Sequence, residues 1–270
     1  MLFFPNAKIN IGLNILRKRT DGFHDIASYF YPVGWKDVLE ILPNETFSFN
    51  TTGITIPPDG KDNLCVRAYE LLKKDFDIPL VYLHLHKNIP IGAGMGGGSA
   101  DASMVLVGLN KLFELHLTTA QMIAYATQLG SDCAFFVENK AQYAHGRGEL
   151  LEATAPDLKG TKICVVYPNL HITTAEAYQR ILPALPALPL YEAIALPRTT
   201  WKEVIQNDFE AALFPQYPIL PAIKAKLYEM GAFYAAMTGS GSAVYGLFEQ
   251  AMPAEITFSE IYTVWKGEIL

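Results

Sequence analysis

Hydrophobic and polar positions alternate strictly at two places in this chain. From Lys8 one face carries Lys8, Asn10, Gly12 and Asn14, and the other Ile9, Ile11, Leu13 and Ile15. A period of two predicts a strand with one face on the core. Solvent faces of strands favour Thr, Lys and Glu, and asparagine is depleted there. One lysine with two asparagines therefore reads as a functional face rather than plain surface. The second alternation, Val81 to His86, predicts another half-exposed strand and puts His84 and His86 on one face. No third ligand with suitable spacing is near, so that pair reads as solvated rather than metal-bound.

Helical spacing predicts a helix from Asp62 to about Lys74, with Asp62 as N-cap and Leu64, Ala68, Leu71 and Leu72 as its apolar stripe. A second covers Asp101–Leu115 and buries Val105, Leu109, Leu112 and Phe113. A third opens on the capping box Thr118-Thr-Ala-Gln121 and stops at Gly130. Residues 26–56 read as strands turning at Pro43-Asn44 and Gly53, and Gln142–Leu151 as a hairpin around His145-Gly-Arg-Gly148. Beyond lie a strand at Lys162–Tyr167 and helices at Thr173–Ile181, Trp201–Gln206 and Ile219–Met230. Pro183, Pro186, Pro189 and Pro197 make 182–198 a semi-extended loop, and its leucines favour packing on the protein itself. Ala155-Pro-Asp-Leu-Lys-Gly160 is the expected boundary between a domain at 1–155 and one at 160–270.

Between the Val81–His86 strand and the helix after it runs Pro90-Ile-Gly-Ala-Gly-Met-Gly-Gly-Gly-Ser-Ala-Asp101. Glycine lets backbone N–H groups approach an anion closely and permits positive φ. A following helix start adds unpaired N–H groups and a partial positive charge. Ser99 is placed to cap that helix or to meet a phosphate oxygen. A flexible linker would lack such patterned flanks. No lysine follows the glycines as a Walker loop requires. Gly92, Gly94 and Gly97 satisfy G-x-G-x-x-G, but the preceding strand alternates, where a dinucleotide fold has a buried parallel strand. A second glycine cluster, Thr238-Gly239-Ser240-Gly241-Ser242, sits between two apolar runs and predicts strand, tight loop, strand. Asp132 follows the helix-ending Gly130; capping a short turn is a sufficient local explanation for it.

Composition acts by exclusion. Half of the 270 residues are hydrophobic, enough for a sizeable core, yet no apolar run approaches the roughly 20 residues that span a bilayer. The opening Met1-Leu-Phe-Phe-Pro5 lacks the regions of a signal peptide. A net charge of −6 argues against nucleic acid as a partner but leaves small anions open. Cys65, Cys133 and Cys164 are few and scattered, suggesting buried thiols in a reducing cytoplasm rather than zinc or disulfides.

Three segments together resemble the GHMP small-molecule kinase family: Pro5-Asn-Ala-Lys-Ile-Asn-Ile-Gly-Leu13, the glycine stretch from Pro90, and Met237-Thr-Gly-Ser-Gly-Ser242. They occur in the family's order and span most of the chain. Within the family, Ala7-Lys8-Ile-Asn10, Asp21-Gly-Phe-His24, Asp62-Asn-Leu64 and Gly130-Ser-Asp132 are most similar to the 4-diphosphocytidyl-2-C-methyl-D-erythritol kinases. The resemblance implies an α+β fold of two lobes with the active site in the cleft between them, and ATP with Mg2+ as phosphoryl donor. It implies a small-molecule acceptor, 4-diphosphocytidyl-methylerythritol, phosphorylated on its 2-hydroxyl in the methylerythritol phosphate route to isoprenoid precursors. It also implies a cytoplasmic enzyme.

Residue by residue, the resemblance makes Lys8 and Asp132 the catalytic pair and Asn10, Phe23, His24 and Tyr178 substrate-binding residues. His24 would hydrogen-bond cytosine and Tyr178 would stack on it. Pro90, Ile91, Gly92, Ala93, Gly94, Met95, Gly96, Gly97, Gly98, Ser99 and Ala100 would hold ATP, with Asn63 and Lys87 towards its adenosine end. Thr238, Gly239, Ser240 and Gly241 form the third motif; no metal ligand is implied. Phe23 stands where the family often has Tyr, and Ala93 where Gly is common. Alanine fits there only at negative φ. Other readings are a mevalonate, homoserine or sugar kinase of this family, a dinucleotide-dependent oxidoreductase, and a non-catalytic nucleotide sensor.

Overall fold

The computed structural model describes residues 1–57, 63–250, 252 and 258–270. In chain order the elements are β1 (Leu2–Phe3), β2 (Asn6–Lys18), β3 (His24–Lys36), β4 (Val38–Pro43), β5 (Ser48–Gly53), α1 (Leu64–Asp75), β6 (Val81–Lys87) and α2 (Gly97–Leu112). There follow α3 (Thr119–Leu129), α4 (Cys133–Glu138), β7 (Gln142–Gly146), β8 (Leu150–Glu152), β9 (Lys162–Tyr167), α5 (Thr174–Gln179), α6 (Leu190–Ala193) and α7 (Trp201–Val204). The chain closes with α8 (Asp208–Leu213), α9 (Ile219–Glu229), β10 (Tyr234–Met237), β11 (Val244–Phe248) and β12 (Thr263–Glu268). This is the expected α+β mixture.

Two compact units emerge, interleaved in sequence. The first comprises Met1–Ala7, Trp35–Ile91 and Gly96–Lys140; the second comprises Lys8–Gly34, Gly92–Met95 and Ala141–Leu270.

In the first unit the sheet order is β1-β4-β6-β5, with β4 antiparallel and β5 parallel to β6. The alternation of β6 sends Val81, Leu83 and Leu85 into a core shared with Leu39 and Ile41 of β4, Ala68 and Leu72 of α1, and Val105 and Leu109 of α2. Lys87 continues that inward register and is buried too. His86 faces out, His84 is half-buried, and both contact the Thr52 hydroxyl at 3.0 Å. Among the described residues no group of three or more His, Cys, Asp or Glu could hold a metal ion.

Helix starts differ from the sequence reading. Asp62 lies outside the described residues; Asn63 caps α1 by accepting from the Cys65 N–H at 2.9 Å. α2 begins at Gly97, one turn before Asp101, because the glycines themselves take helical geometry behind Gly96 at φ +69°. Ser99 thus lies inside the first turn and is not the cap. The Thr118–Gln121 capping box opens α3 as expected.

The second unit contains the sheet β10-β11-β9-β12, whose core joins Cys164, Val166, Ala235, Met237 and Val244 to Phe209, Leu213, Leu220 and Leu227 of α8 and α9. The sheet β2-β3-β7-β8 includes the predicted hairpin. β2 is buried on both faces over most of its length, so its lysine and asparagines are internal rather than solvated. Within 182–198, Leu182 and Leu185 are 92% and 79% exposed, against the expected packing. The prolines hold the backbone extended there, tethered where the Ala184 N–H donates to the Ile15 carbonyl at 3.1 Å. Only at α6 does the segment fold, burying Leu190 and Ala193. All three cysteines are buried free thiols.

Candidate active site

The glycine stretch is a loop of left-handed turns. Gly92, Gly94 and Gly96 have φ of +66°, +78° and +69°, a conformation costly for any residue with a Cβ. Ala93 is buried and stands outside the positive-φ set, which meets the condition for alanine at that position. Three bonds in the second unit hold the loop's tip. The Lys8 N–H donates to the Met95 carbonyl at 2.9 Å, the Ala243 N–H to Ala93 at 3.2 Å, and the Thr238 hydroxyl lies 3.1 Å from the Gly94 carbonyl. A Cβ on Gly94 would collide with the Thr238 carbonyl oxygen. Gly92 and Gly98 are exposed, and a Cβ on Gly98 would approach only Leu64, at 3.9 Å. α2 carries no side-chain cap. An open, glycine-built helix start of this length fits a bound phosphate chain.

Lys8 and Asn10, two residues apart on β2, share a face. The Lys8 ammonium donates to the Asn10 Oδ1 at 2.6 Å and sits 4.4 Å above the Phe30 ring. Asn10 is 1% exposed and engaged on both sides of its amide: Nδ2 donates to Ser28 Oγ at 2.9 Å, and Ser28 Oγ donates to the Gly12 carbonyl at 2.6 Å. The Asn10 N–H donates to Thr238 Oγ1 at 3.2 Å. That hydroxyl has one proton and two acceptors within reach, Asn10 Oδ1 at 3.2 Å and Gly94 O at 3.1 Å. The third motif, the glycine loop and the lysine strand are thus joined at one side chain. Gly239 and Gly241 have φ of +55° and +86°, and Ser240 Oγ lies 3.3 Å from Thr174 Oγ1.

Towards the expected base-binding end, Arg19 bridges Asp21 and Asp25 and folds the 19–23 turn, where the Arg19 N–H donates to the Phe23 carbonyl at 2.8 Å. Phe23 is half-exposed under the Arg147 guanidinium, 4.9 Å from its ring centre. His24 and Tyr178, 154 positions apart, stack at 4.7 Å and 20°. Tyr178 in turn meets the edge of Phe209 at 4.9 Å. Burial, then the charge of Lys18, holds the His24 imidazole below its ordinary pKa. A neutral ring offers one donor and one acceptor nitrogen.

In the first unit Asp132 precedes α4, in helical backbone conformation. Its position is set from both sides: the Cys133 N–H donates to the Gly130 carbonyl at 3.1 Å, and Ser103 of α2 donates to the Cys133 carbonyl at 2.8 Å. Lys87 is not a free cation. Its buried ammonium bonds Asp37 and, at 2.8 Å, Asp101. Burial alone would lower its pKa, but the two carboxylates outweigh that and raise it. Burial raises the Asp101 carboxyl above its ordinary range, against the opposing pull of Lys87.

Two GHMP kinase family models match the chain, the GHMP kinases N terminal domain over residues 63–140 and the GHMP kinases C terminal over 193–266. A 4-diphosphocytidyl-2-C-methyl-D-erythritol kinase of Bacteroides thetaiotaomicron is 47% identical, covering 92% of each chain. The chain belongs to the 4-diphosphocytidyl-2-C-methyl-D-erythritol kinase family. A solved 4-(cytidine 5'-diphospho)-2C-methyl-D-erythritol kinase superposes with a TM-score of 0.82 at 29% identity, covering 100% of this chain and 99% of that one. The Methanococcus jannaschii mevalonate kinase gives 0.70 at 12% identity, covering 100% and 98%. That second likeness is one of fold alone, so substrate choice among GHMP kinases rests on side chains.

As a small-molecule kinase of this family the chain uses ATP, and no helix among the described residues is long and apolar enough to cross a membrane. Sequence reasoning missed several residues that shape the kinase's loops. Asn207 Nδ2 donates to the Met237 and Gly239 carbonyls at 2.7 and 2.9 Å while its Oδ1 caps α8. Glu210 accepts the Met237 N–H at 2.7 Å and pairs with Lys224 at 2.5 Å. An Asn-Asp pair ahead of Phe-Glu is a readable helix start and could have pointed to Asn207. Nothing in the local pattern singles out Asp37.

Proposed function

We propose that this chain transfers the γ-phosphoryl group of ATP to the 2-hydroxyl of 4-diphosphocytidyl-methylerythritol, in the methylerythritol phosphate route to isoprenoid precursors. The observation that carries the substrate choice is the stacked His24–Tyr178 pair. A flat aromatic surface beside a neutral imidazole suits cytosine, which pairs donor and acceptor along one edge and stacks on its face. Rings 4.7 Å apart are already in contact, so the base joins the pair on its outer face or at the His24 edge. The half-exposed Phe23 adds a second apolar surface, with the family's tyrosine hydroxyl absent.

An alcohol is far less acidic than a carboxylic acid, whose reference pKa in Asp is about 3.9. Asp132 therefore orients the 2-hydroxyl and accepts its proton late in the transfer. In a loose transition state, positioning and charge stabilisation carry most of the rate. Lys8, aimed by the Asn10 amide, opposes negative charge on the transferred group. Asn10 contributes through Lys8, whose ammonium its Oδ1 accepts from. The N–H groups at Gly92–Gly98 and the start of α2 hold the phosphates, with Asn63 and the Lys87 backbone towards adenosine. Mg2+ entering with ATP would offset the charge of the phosphates held at the glycine loop.

The test is ADP release with Mg·ATP and, in parallel, 4-diphosphocytidyl-methylerythritol, mevalonate, homoserine and galactose. Turnover with the cytidine compound alone is expected. Turnover with another acceptor discards the cytosine assignment, and silence with all four in a protein that binds ATP favours a nucleotide sensor. His24→Ala is expected to raise KM for the cytidine substrate about tenfold, the worth of one hydrogen bond with part of a stacking contact, and to leave KM for ATP in place. An equal rise in both would make His24 structural.

A further inference from the structure

One side chain that no motif contains reaches the entry of the glycine loop. Asp37, fully buried between β3 and β4, uses both carboxylate oxygens. Oδ1 accepts the N–H groups of Asn88 at 2.6 Å and Ile89 at 2.7 Å. Oδ2 accepts from the Lys87 ammonium. β6 ends at Lys87 and Pro90 has no N–H, so these two donors are the last before the loop, and Asp37 takes both. Lys87 carries the connection onward: it donates to Asp101 on α2, and a Cβ on Gly97, the first residue of α2, would lie 3.0 Å from its Nζ. The loop's entry at 87–89 and its exit at 97–101 therefore meet at one ammonium.

Stability alone is a poor account of this arrangement. A buried ion pair is often no more stabilising than apolar packing of the same volume. A cation beneath the first residue of a helix also opposes the helix dipole. Two carboxylates offset that cation, and among the described residues the Oδ1 of Asp101 is buried with no hydrogen-bond partner. What the cluster provides is a fixed spacing between the strand end and the helix start.

We propose that Asp37 is a positioning residue for nucleotide binding, setting the mouth of the phosphate loop through Lys87 and the backbone of residues 88 and 89, with Asp101 as its counterpart on α2. This rests on the reading of 90–100 as the ATP loop. Asp37→Asn keeps the shape and one acceptor for the two N–H groups but turns an amide towards the ammonium. KM for ATP is expected to rise about tenfold, the scale of a lost charge-assisted hydrogen bond, with KM for the cytidine substrate unchanged. Asp101→Asn, which keeps the Lys87–Asp37 pair, is expected to raise KM for ATP about threefold, the smaller effect of the same kind. General destabilisation instead lowers the folded fraction, and so lowers kcat without moving either KM.

Gly94→Ala serves as the reference for the loop. If it raises KM for ATP while folded Asp37→Asn and Asp101→Asn do not, the positioning role is overturned and the loop reading stands. If Gly94→Ala also leaves ATP untouched in a folded enzyme, the loop reading itself fails. A rise of both substrates' KM together in the aspartate variants overturns the proposal as well. Should Asp37→Asn not fold, Asp101→Asn decides on the same split.

Discussion

Asp132→Asn is expected to lower kcat by roughly 10²–10⁴-fold, the usual worth of a positioned acid–base group, with the fold intact. Asparagine matches the carboxylate in shape, so the turn at 130–133, held by the Gly130 and Cys133 carbonyls, is preserved. What is lost is the acceptor for the alcohol's proton and the negative charge that orients the hydroxyl. With ATP held at the glycine loop as proposed, its binding should change little. Steady-state kinetics with a thermal melt on the same sample checks this. Wild-type turnover in the variant would remove Asp132 from the chemistry, and a collapse of the melt would make it structural.

Gly94→Ala carries the second largest effect, this time on nucleotide binding. Two costs coincide there. The backbone sits at φ +78°, where an L side chain costs about 1–2 kcal/mol. The added methyl would also collide with the Thr238 carbonyl, which cannot rotate away as a side chain would. The loop must therefore shift against its bonds from Lys8, Ala243 and Thr238. KM for ATP is expected to rise roughly 100-fold, equivalent to about 2.7 kcal/mol. Competition with a fluorescent ATP analogue measures it directly, and unchanged affinity would show that the tip of the loop does not face the nucleotide.

The parts of the fold legible in the sequence are those governed by short-range rules. The capping box at Thr118–Gln121 opens α3 because two side chains three residues apart satisfy each other's N–H groups, whatever surrounds them. The alternation of β6 is equally plain, and extending it by one position would have placed Lys87 inside. The polar face of β2 was rightly separated from ordinary surface, but its burial depends on what covers Lys8, Asn10 and Asn14, which alternation does not encode. α2 begins a turn early because two glycines, Gly97 and Gly98, weak helix formers alone, are recruited once the helix behind them packs. The exposed Leu182 and Leu185 show the reverse error, in which apolar character was taken for burial.

At the site, the residues proposed to carry the chemistry stand out through motifs, while the residues that hold them do not. His24 and Tyr178 meet across 154 positions of chain, and Asp37 reaches the loop from more than 50 residues away. Such contacts are set by topology. Asn207, which fixes the third motif, looks in sequence like any helix cap.

The double burial of β2 also governs how motion reaches the reaction. β2 lies at the edge of its sheet, yet both its faces are covered and its outer N–H groups are taken by the Met95 and Gln206 carbonyls and the Asp208 carboxylate, so it frays less readily than a bare edge strand. Lys8 and Asn10 sit in the buried first half of that strand, far from its exposed end at Arg17 and Lys18. Main-chain motion of that strand therefore does little to displace the Lys8 ammonium, which its bond to Asn10 also holds, so the charge is delivered from a fixed point.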